Sequence, residues 1–279
     1  MSEFYKRDIP IIDLDSGELN NDILYPKGVG RGLVPRDYDV FPETMFALPD
    51  EMKLIPESEW DARYDEQEEQ QSSLEHLYLG GVNSSPIFTN LDQGTEGYCW
   101  IYSVIHSLML DRAKRNLRYV RLNPHSCGAI IKKGANDGGW CGEGAEFVTK
   151  FGCAPEGNRP GEWPKWSRDI RRYDTVAMRA AMAQFKIDEQ WTDITKRVWD
   201  RNLTMAQVAT SGFNNLPGPR DYHWWGHSVC GLRWVRIERG AWGQLILNSW
   251  LRWGRNGLAV LRGNKAVCNG GLSIRSTTA

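Results

Sequence analysis

The sequence predicts an α+β protein in which a helical half precedes a β-rich half. The segment CWIYSVIHSLMLDRAKR, from Cys99, places apolar residues on one helical face and ends in basic residues, as helix C-termini favour. Further helices are expected at GAEFVTK (Gly144 to Lys150) and at TVAMRAAMAQF from Thr175, which is rich in helix-forming residues. After Leu216, SVCGLRWVRIE and GQLILNSW are strand-like, and the intervening RGAWG suits the turn of a long hairpin.

The composition describes a globular chain with no strong charge bias. Its 279 residues are 41% apolar, enough for one large or two small domains. A net charge of -1 gives no reason to expect nucleic-acid or membrane binding. MSEFYKRDIPIIDLD lacks the apolar core of a secretory signal, and no stretch approaches the roughly 18 apolar residues that span a bilayer. The expected location is the cytoplasm, or a particle assembled there.

Two N-terminal stretches differ from the rest. Residues 1–54 are rich in Pro, Gly and Asp without periodicity, which predicts an extended arm. Residues 57–75 carry eight acidic residues and one arginine, which favours a solvated loop or an exposed helix acting as an insertion or linker. The six scattered cysteines do not resemble a disulfide framework and suggest a reducing compartment.

Cys99 is the candidate nucleophile. It follows the glycine-bearing loop DQGTEGY and opens the strongest predicted helix, where the helix dipole lowers a thiol pKa. A thiolate needs a nearby base that a third polar side chain orients, and His227 is the candidate for that base.

The other histidines fit a catalytic role less well. His106 lies two turns along the predicted helix, about 10 Å from Cys99, and is expected to be a packed helix histidine. His223 and His227 have HxxxH spacing, but in a strand such residues lie about 13 Å apart, so a shared metal is disfavoured. His76 and His125 are expected at the surface or at caps.

Three blocks carry a family resemblance. LDQGTEGYCW (91–100) resembles the QGxCGSCW block of papain and the cathepsins, WWGHSVCGLRW resembles the block around their histidine, and LNSWLRWGRNGLAVLRG resembles the NSWGxxWG block around their asparagine. His227 and Asn248 follow Cys99 by 128 and 149 residues, against roughly 130 to 150 in this family. The chain thus resembles papain-like cysteine peptidases (peptidase family C1), and IPESEWDAR (55–63) resembles the start of their mature domain.

The resemblance implies a two-lobed fold and a set of catalytic roles. A helical lobe (about 91–200) and a β-barrel-like lobe (about 205–279) would flank a cleft within a peptidase domain at 55–279. Cys99 would attack the peptide carbonyl, His227 would protonate the leaving amine, and Asn248 would orient His227. Gln93 and the Cys99 backbone N–H would bind the oxyanion, at about 3 kcal/mol per donor. No cofactor or metal is required.

Other residues are expected to line the substrate cleft. A weaker block, GGWCGEGAEFVTKFG, resembles the family's CNGG stretch, which makes Gly144 a cleft glycine and places the Glu143 carboxylate at the rim. Gly97 would lie under the substrate backbone, Tyr98 beside the primary pocket, and Trp250 over the His227–Asn248 contact. Glu96 replaces a cysteine that the family pairs with the CNGG cysteine, so Cys141 loses that partner and pairing with Cys127 or Cys153 stays open.

The expected function is peptide-bond hydrolysis, by an endopeptidase or an exopeptidase, with a peptide or protein as partner. One alternative is a catalytically weak or inactive structural component of a larger assembly, such as a virus particle, anchored through residues 1–54. A second is a cell-wall peptide hydrolase, although those enzymes usually orient the base with a second histidine or an acid. The arm could also cross the cleft as an inhibitor.

Overall fold

The structure, a computed structural model, describes residues 4–5, 8–16, 24, 26–35, 37, 57–70, 90–156, 167–188, 191–194, 218–266, 268–274 and 278. His76 lies outside these residues. The described helices are α1 (Glu57–Gln70), α2 (Cys99–Lys114), α3 (His125–Ile131), α4 (Cys141–Phe151) and α5 (Val176–Met182). The described strands are β1 (Ile11–Asp13), β2 (Trp191–Ile194), β3 (Gly218–Tyr222), β4 (His227–Glu238), β5 (Ala241–Leu247), β6 (Leu258–Arg262) and β7 (Gly270–Ile274).

The three predicted helices of the central region are confirmed as α2, α4 and α5. Helix α2 is the centre of the molecule, since every residue from Cys99 to Ala113 is buried. It packs against α4 on one side and against β3 and β4 on the other. The Thr175 side chain caps α5 by accepting a hydrogen bond from the Met178 backbone N–H (3.1 Å), which explains why that helix begins there.

The predicted hairpin is confirmed by the antiparallel pair β4 and β5, which turns at residues 239–240. The sheet has seven strands in the order β1-β6-β5-β4-β3-β7-β2. Among the strand pairs that the structure describes, only β1–β6 is parallel. The described strands do not close into a barrel, so the fold is α+β with an open sheet beside the helices.

The acidic helix α1 has a buried face, which the expectation of a solvated segment did not include. Trp60 and Tyr64 are buried and make edge contacts with Trp242 of the hairpin. The acidic residues of α1 pair with buried arginines of β4: Arg236 reaches Asp61 (2.6 Å) and Asp65 (2.8 Å). Charge complementarity and aromatic packing therefore hold α1 on the sheet.

All six cysteines are free thiols, and all are buried. The Cys141 thiol pairs with neither Cys127 nor Cys153; it donates to Asp221 Oδ1 (2.9 Å). Within the described ranges, no helix has the length and apolar character needed to cross a bilayer.

Candidate active site

Cys99 lies at the first position of α2, with its side chain buried. Its thiol is within hydrogen-bonding reach of backbone groups of Ser228, the residue after His227, and of Gly32 from the N-terminal arm. Burial raises the pKa of Cys99 to about 12, and these hydrogen bonds offset only part of that rise. The lowered pKa expected at a helix N-terminus is therefore not found in this closed arrangement, because burial raises the pKa of the Cys99 thiol more than the neighbouring backbone groups lower it.

His227 and Asn248 form the expected pair. His227 Nε2 lies 2.8 Å from Asn248 Oδ1, and both residues are buried. An amide oxygen only accepts, so Nε2 carries the proton and Nδ1 keeps its lone pair. Among the described residues, Nδ1 has no hydrogen-bond partner. His227 is thus held in the tautomer that a general base requires.

Asn248 is itself fixed by the chain around it. Its backbone N–H donates to the Gly257 carbonyl (2.8 Å), and its own carbonyl accepts from Asn90 Nδ2 (2.9 Å). These bonds join the end of β5 to the start of β6 and to the segment that leads into the Cys99 loop. The orienting amide is therefore placed by backbone as well as by side-chain contacts.

Two tryptophans enclose the His227 ring. Trp250 stacks on it with ring centroids 4.0 Å apart and planes 16° apart, and Trp225 meets it edge-on at 5.0 Å. Burial lowers the pKa of His227 to about 3; the Asn248 hydrogen bond opposes this shift and the Arg31 charge adds to it. The indoles therefore keep the ring neutral and exclude water from the His227–Asn248 contact, the position expected for Trp250.

Gln93 is buried between the Cys99 loop and the segment after Asn248. Its Oε1 accepts from the Ser249 hydroxyl, and its backbone N–H donates to the Ser249 carbonyl (2.9 Å). Its Nε2 donates to the Glu96 carbonyl (2.7 Å) and to the Gly30 carbonyl of the arm (2.9 Å). The Gln93 side-chain amide, which we expect to bind the oxyanion of the reaction, therefore already donates a hydrogen bond to the Gly30 carbonyl of this chain.

Residues Gly30–Val34, here termed the cleft segment, pass over this site. The Gly30 carbonyl also accepts from Trp250 Nε1 (3.2 Å). The Gly32 carbonyl accepts from Gly139 N–H (2.8 Å), and Val34 N–H donates to the Gly139 carbonyl (2.9 Å), in a parallel bridge centred on Leu33. Leu33 N–H donates to the Gly226 carbonyl (3.2 Å). The cleft segment is hydrogen-bonded to both walls of the site.

Glycine is required for this close approach. A Cβ on Gly30 would lie 1.9 Å from the Glu96 carbonyl oxygen, and a Cβ on Gly32 would lie 1.9 Å from the Gly97 carbonyl oxygen. Both oxygens belong to the backbone of the loop that precedes Cys99, so they cannot rotate away. The arm is therefore shaped to lie in the cleft, where its residue Gly32 lies against Gly97.

Tyr98 and Gly144 are placed away from the cleft segment. Tyr98 is fully buried; its hydroxyl donates to the Ala135 carbonyl (2.6 Å), and its ring packs on Gly128. Gly144 lies inside α4, where a Cβ would meet Trp100 and Ile101 of α2. Instead of lining a pocket, Tyr98 supports the loop from behind and Gly144 allows two helices to pack closely.

The glycine pair that faces the cleft segment is Gly138-Gly139, which ends two residues before the CNGG match that begins at Cys141. A Cβ on Gly138 would meet the Gly32 carbonyl, and Gly139 makes the bridge with Leu33. The signal for this pair was the sequence Asn136-Asp137-Gly138-Gly139 immediately before Trp140. Asn136 Oδ1 accepts from Gly97 N–H (2.6 Å), a polar link between the two loops that the family is expected to join by a disulfide.

Glu143, whose carboxylate is expected at the rim of the cleft, is already paired with a lysine. Its carboxylate forms an ion pair with Lys132 Nζ (2.7 and 3.0 Å), and Lys132 also lies over the Trp100 ring. A Cβ on Gly139 would lie 2.9 Å from Glu143 Oε2, so this ion pair backs the wall of the cleft.

The remaining histidines take structural positions. His106 is buried, and its Nε2 accepts from the Leu91 backbone N–H (3.3 Å), as expected for a packed helix histidine. His125 is buried and contacts the Tyr102 hydroxyl through Nδ1 (3.2 Å), so the surface position expected for it is wrong. Within the residues that the structure describes, no three His, Cys, Asp or Glu side chains group in a way that suits a metal ion.

Solved structures with this fold are papain-like cysteine proteases. Xylellain, a cysteine protease from Xylella fastidiosa, matches at 14% identity over 90% of this chain and 97% of its own, with a TM-score of 0.59. ProCathepsin B S9 from Trypanosoma congolense matches at 12% identity over 89% and 87%, with a TM-score of 0.56. Digestive procathepsin L 3 of Tenebrio molitor larval midgut matches at 14% identity over 68% and 67%, with a TM-score of 0.50.

No protein-family model matches the sequence. No curated protein matches it either. The chain therefore has a papain-like fold that is recognised through structure and through the short blocks around Cys99, His227 and Asn248, at identities that leave its activity to be argued from its own residues.

Proposed function

We propose that this protein is a cysteine peptidase that hydrolyses peptide bonds through Cys99, His227, Asn248 and Gln93. The observation that carries the proposal is the His227–Asn248 contact of 2.8 Å, which leaves Nδ1 as an unpaired acceptor at the residue before Ser228, whose backbone meets the Cys99 thiol. A nucleophile, a base beside it and a group that orients the base are the parts that thiol acyl transfer needs.

The proposed reaction has two stages. Cys99 gives its proton to His227 Nδ1, and the thiolate attacks the peptide carbonyl, while Gln93 Nε2 and the Cys99 backbone N–H receive the oxyanion. The imidazolium returns the proton to the leaving amine as the C–N bond breaks, and a thioester remains on Cys99. Water then attacks the thioester with His227 as base, which releases the acid and restores the thiol.

The closed arrangement suggests that the arm keeps this peptidase latent. The cleft segment occupies the Gln93 amide and buries Cys99 and His227, and a neutral thiol beside a neutral imidazole cannot start the reaction. Two of the matching structures are described as procathepsins, that is, as proforms. We therefore propose that the cleft segment must leave before substrate binds.

The proposal is tested by thiol labelling. Once the cleft segment is displaced, as we expect in Gly32→Ala, an epoxide-type inactivator should label the protein once, at Cys99, and the same protein with Cys99→Ala should remain unlabelled by intact mass. His227→Ala should slow labelling most strongly below the usual thiol pKa, because only a paired thiolate persists there. Cys268→Ala is the matched control, since it removes a buried thiol outside the site and should change nothing. Labelling spread over several cysteines would contradict the proposal.

An inactive structural component is the second candidate, because the cleft is already filled by the chain's own backbone. Under that alternative, displacement of the cleft segment would produce neither faster labelling of Cys99 nor peptide hydrolysis.

A further inference from the structure

Two tryptophans that contact His227 donate their indole N–H groups to carbonyls of the N-terminal arm. Trp250 Nε1 donates to the Gly30 carbonyl (3.2 Å), and Trp225 Nε1 donates to the Leu24 carbonyl (2.9 Å). Both indoles are almost completely buried, and an indole N–H can only donate. The Trp250 contact lies at the reaction centre, whereas the Trp225 N–H has no part in the reaction proposed above.

The order of contacts along the arm locates the Trp225 N–H relative to the reaction centre. Leu33 is bonded to the two walls of the site. Gly30 places its carbonyl on the Gln93 amide (2.9 Å), the proposed oxyanion donor. Leu24, six residues before Gly30, is bonded to Trp225. Along the arm, the reaction centre therefore lies between the Leu33 contacts and the Trp225 contact.

The aromatic contacts place Trp225 on the side of the leaving group. Trp225 meets the His227 ring edge-on with centroids 5.0 Å apart, and it meets the Trp250 ring at 5.8 Å. His227 is the proposed donor of the proton to the leaving amine, so that amine must lie within hydrogen-bonding reach of the imidazole. An extended peptide advances about 3.3–3.6 Å per residue, so the chain that continues from the amine reaches Trp225 within about one to three residues.

Trp224 continues this row of rings to the protein surface. It stacks on Trp225 with centroids 5.9 Å apart and planes 12° apart, and it is 38% exposed. Both residues belong to the turn between β3 and β4, where the Trp225 backbone N–H donates to the Tyr222 carbonyl (2.9 Å). We term Trp250, Trp225 and Trp224 the aromatic shelf. Its inner end is at the reaction centre and its outer end is accessible to solvent.

In the closed protein, the arm supplies the acceptor for the buried Trp225 N–H. When the arm leaves the cleft, this donor loses the Leu24 carbonyl, and a buried donor without an acceptor is unfavourable. A backbone carbonyl of a bound peptide has the same chemistry as the Leu24 carbonyl, so it restores the lost bond. The site thus favours a ligand that carries a carbonyl to this position.

We propose that the aromatic shelf binds the leaving-group half of the substrate, and that the Trp225 indole N–H bonds a backbone carbonyl there, in the place of the Leu24 carbonyl. Such a substrate continues for about two residues or more beyond the scissile bond. The protein is then an endopeptidase, a choice that Cys99 and His227 alone leave open. This inference rests on the proposed peptidase function and names its substrate class.

Binding without catalysis is the first test. Full-length Gly32→Ala protein, whose arm is displaced, also carries Cys99→Ala so that it does not react. It is titrated by calorimetry with peptides that share a randomised acyl half and end in one to four alanines as amides. The dissociation constant should fall about tenfold at one step of length, and Trp225→Phe should remove that step. Trp242→Phe is the matched control, since its ring packs on Trp60 of α1 and it should keep the step.

The same bond is also tested from the side of the peptide, which does not depend on how Trp225→Phe folds. One leaving-half carbonyl at a time is reduced to a methylene in the four-alanine peptide, and each product is titrated into the protein with Trp225 intact. Affinity should fall about tenfold at one position only. Equal affinity for all the reduced peptides, or a length step that persists in a folded Trp225→Phe protein, would overturn the inference.

Hydrolysis separates this inference from the function on which it rests. With Cys99 intact in Gly32→Ala, the ratio of kcat/KM for long and short leaving halves should be about ten or more, and Trp225→Phe should bring it close to one. A binding step without hydrolysis would reject the peptidase and keep the shelf. Hydrolysis without a length step in either measurement would reject the shelf and keep the peptidase. Fastest cleavage of a single residue with a free carboxylate would overturn the endopeptidase assignment.

Discussion

Gly32 lies so close to Gly97 that a single added methyl group would meet the Gly97 carbonyl oxygen at 1.9 Å. The contact joins the N-terminal arm to the loop that presents Cys99, so the closed state of the site depends on a residue without a side chain. A substitution at Gly32 can therefore displace the arm without changing any of the proposed catalytic residues.

Gly32→Ala should open the site without touching the catalytic residues. Because the methyl group cannot fit under the Gly97 carbonyl, the cleft segment must leave its position, and we expect Cys99 alkylation to accelerate by at least about tenfold, the effect of about 1.4 kcal/mol against closure. Lys27→Ala, an exposed position on the same arm, is the matched control and should keep the wild-type rate. A Gly32→Ala protein that labels no faster would show that the arm does not limit access.

Asn248→Ala should impair hydrolysis while the thiol stays in place. Loss of the 2.8 Å contact frees the His227 ring to rotate and to change tautomer, and a hydrogen bond to a group that becomes charged is worth about 1.5–3 kcal/mol. We therefore expect kcat/KM to fall by about 10- to 100-fold. Asn248→Gln keeps the amide but moves it by one methylene. Wild-type kcat/KM in both Asn248→Ala and Asn248→Gln would contradict the orienting role of Asn248.

Acid should destabilise the closed protein through its buried neutral histidines. Burial lowers the pKa of His106 and His227 to about 3 and that of His125 to about 4, from 6.5. Between these values the unfolded chain binds protons that the folded chain does not, so stability rises with pH and is lost as pH falls from 6.5 toward 4. Each histidine contributes up to about 1.4 kcal/mol per pH unit in that window.

Urea unfolding between pH 4.5 and 7.5 measures this dependence. In His106→Gln the amide oxygen is able to accept from Leu91 N–H. This variant should reduce the slope of unfolding free energy against pH by the contribution of one histidine. An unchanged slope would mean that His106 is protonated in the folded protein.

Arg236→Met should loosen α1 from the sheet. The buried guanidinium pairs with Asp61 and Asp65 and lies 4.7 Å from the Tyr64 ring centroid. Because both aspartates are largely exposed, we expect a loss of about 1–2 kcal/mol in unfolding free energy, less than for a fully buried pair. Arg63→Met is the matched control on the same helix: its ion pair with Glu59 is exposed, and its loss should cost at most about 0.5 kcal/mol. Similar losses of unfolding free energy in both variants would contradict the stabilising role of the buried Arg236 ion pairs.

The sequence by itself was enough to predict the main helices and the β-hairpin and to identify the blocks around Cys99, His227 and Asn248. The apolar spacing after Cys99, the helix-forming run after Thr175 and the paired strands around the turn at 239–240 are local patterns, and local patterns reflect backbone propensity and burial directly. The sequence also singled out Cys99, His227 and Asn248 as candidates, because thiol acyl transfer restricts the residue types that it can use.

Tertiary structure alone decided what surrounds those residues. Gly138-Gly139 rather than Gly144 faces the cleft, Tyr98 turns inward to Ala135, and Gly30–Val34 fills the site. Each of these depends on contacts between segments far apart in the chain, and glycine-rich loops carry no periodicity to predict them. The sequence placed the thiol at a helix N-terminus and so predicted a lowered pKa; the buried closed state reverses that direction, because desolvation depends on the whole surrounding fold.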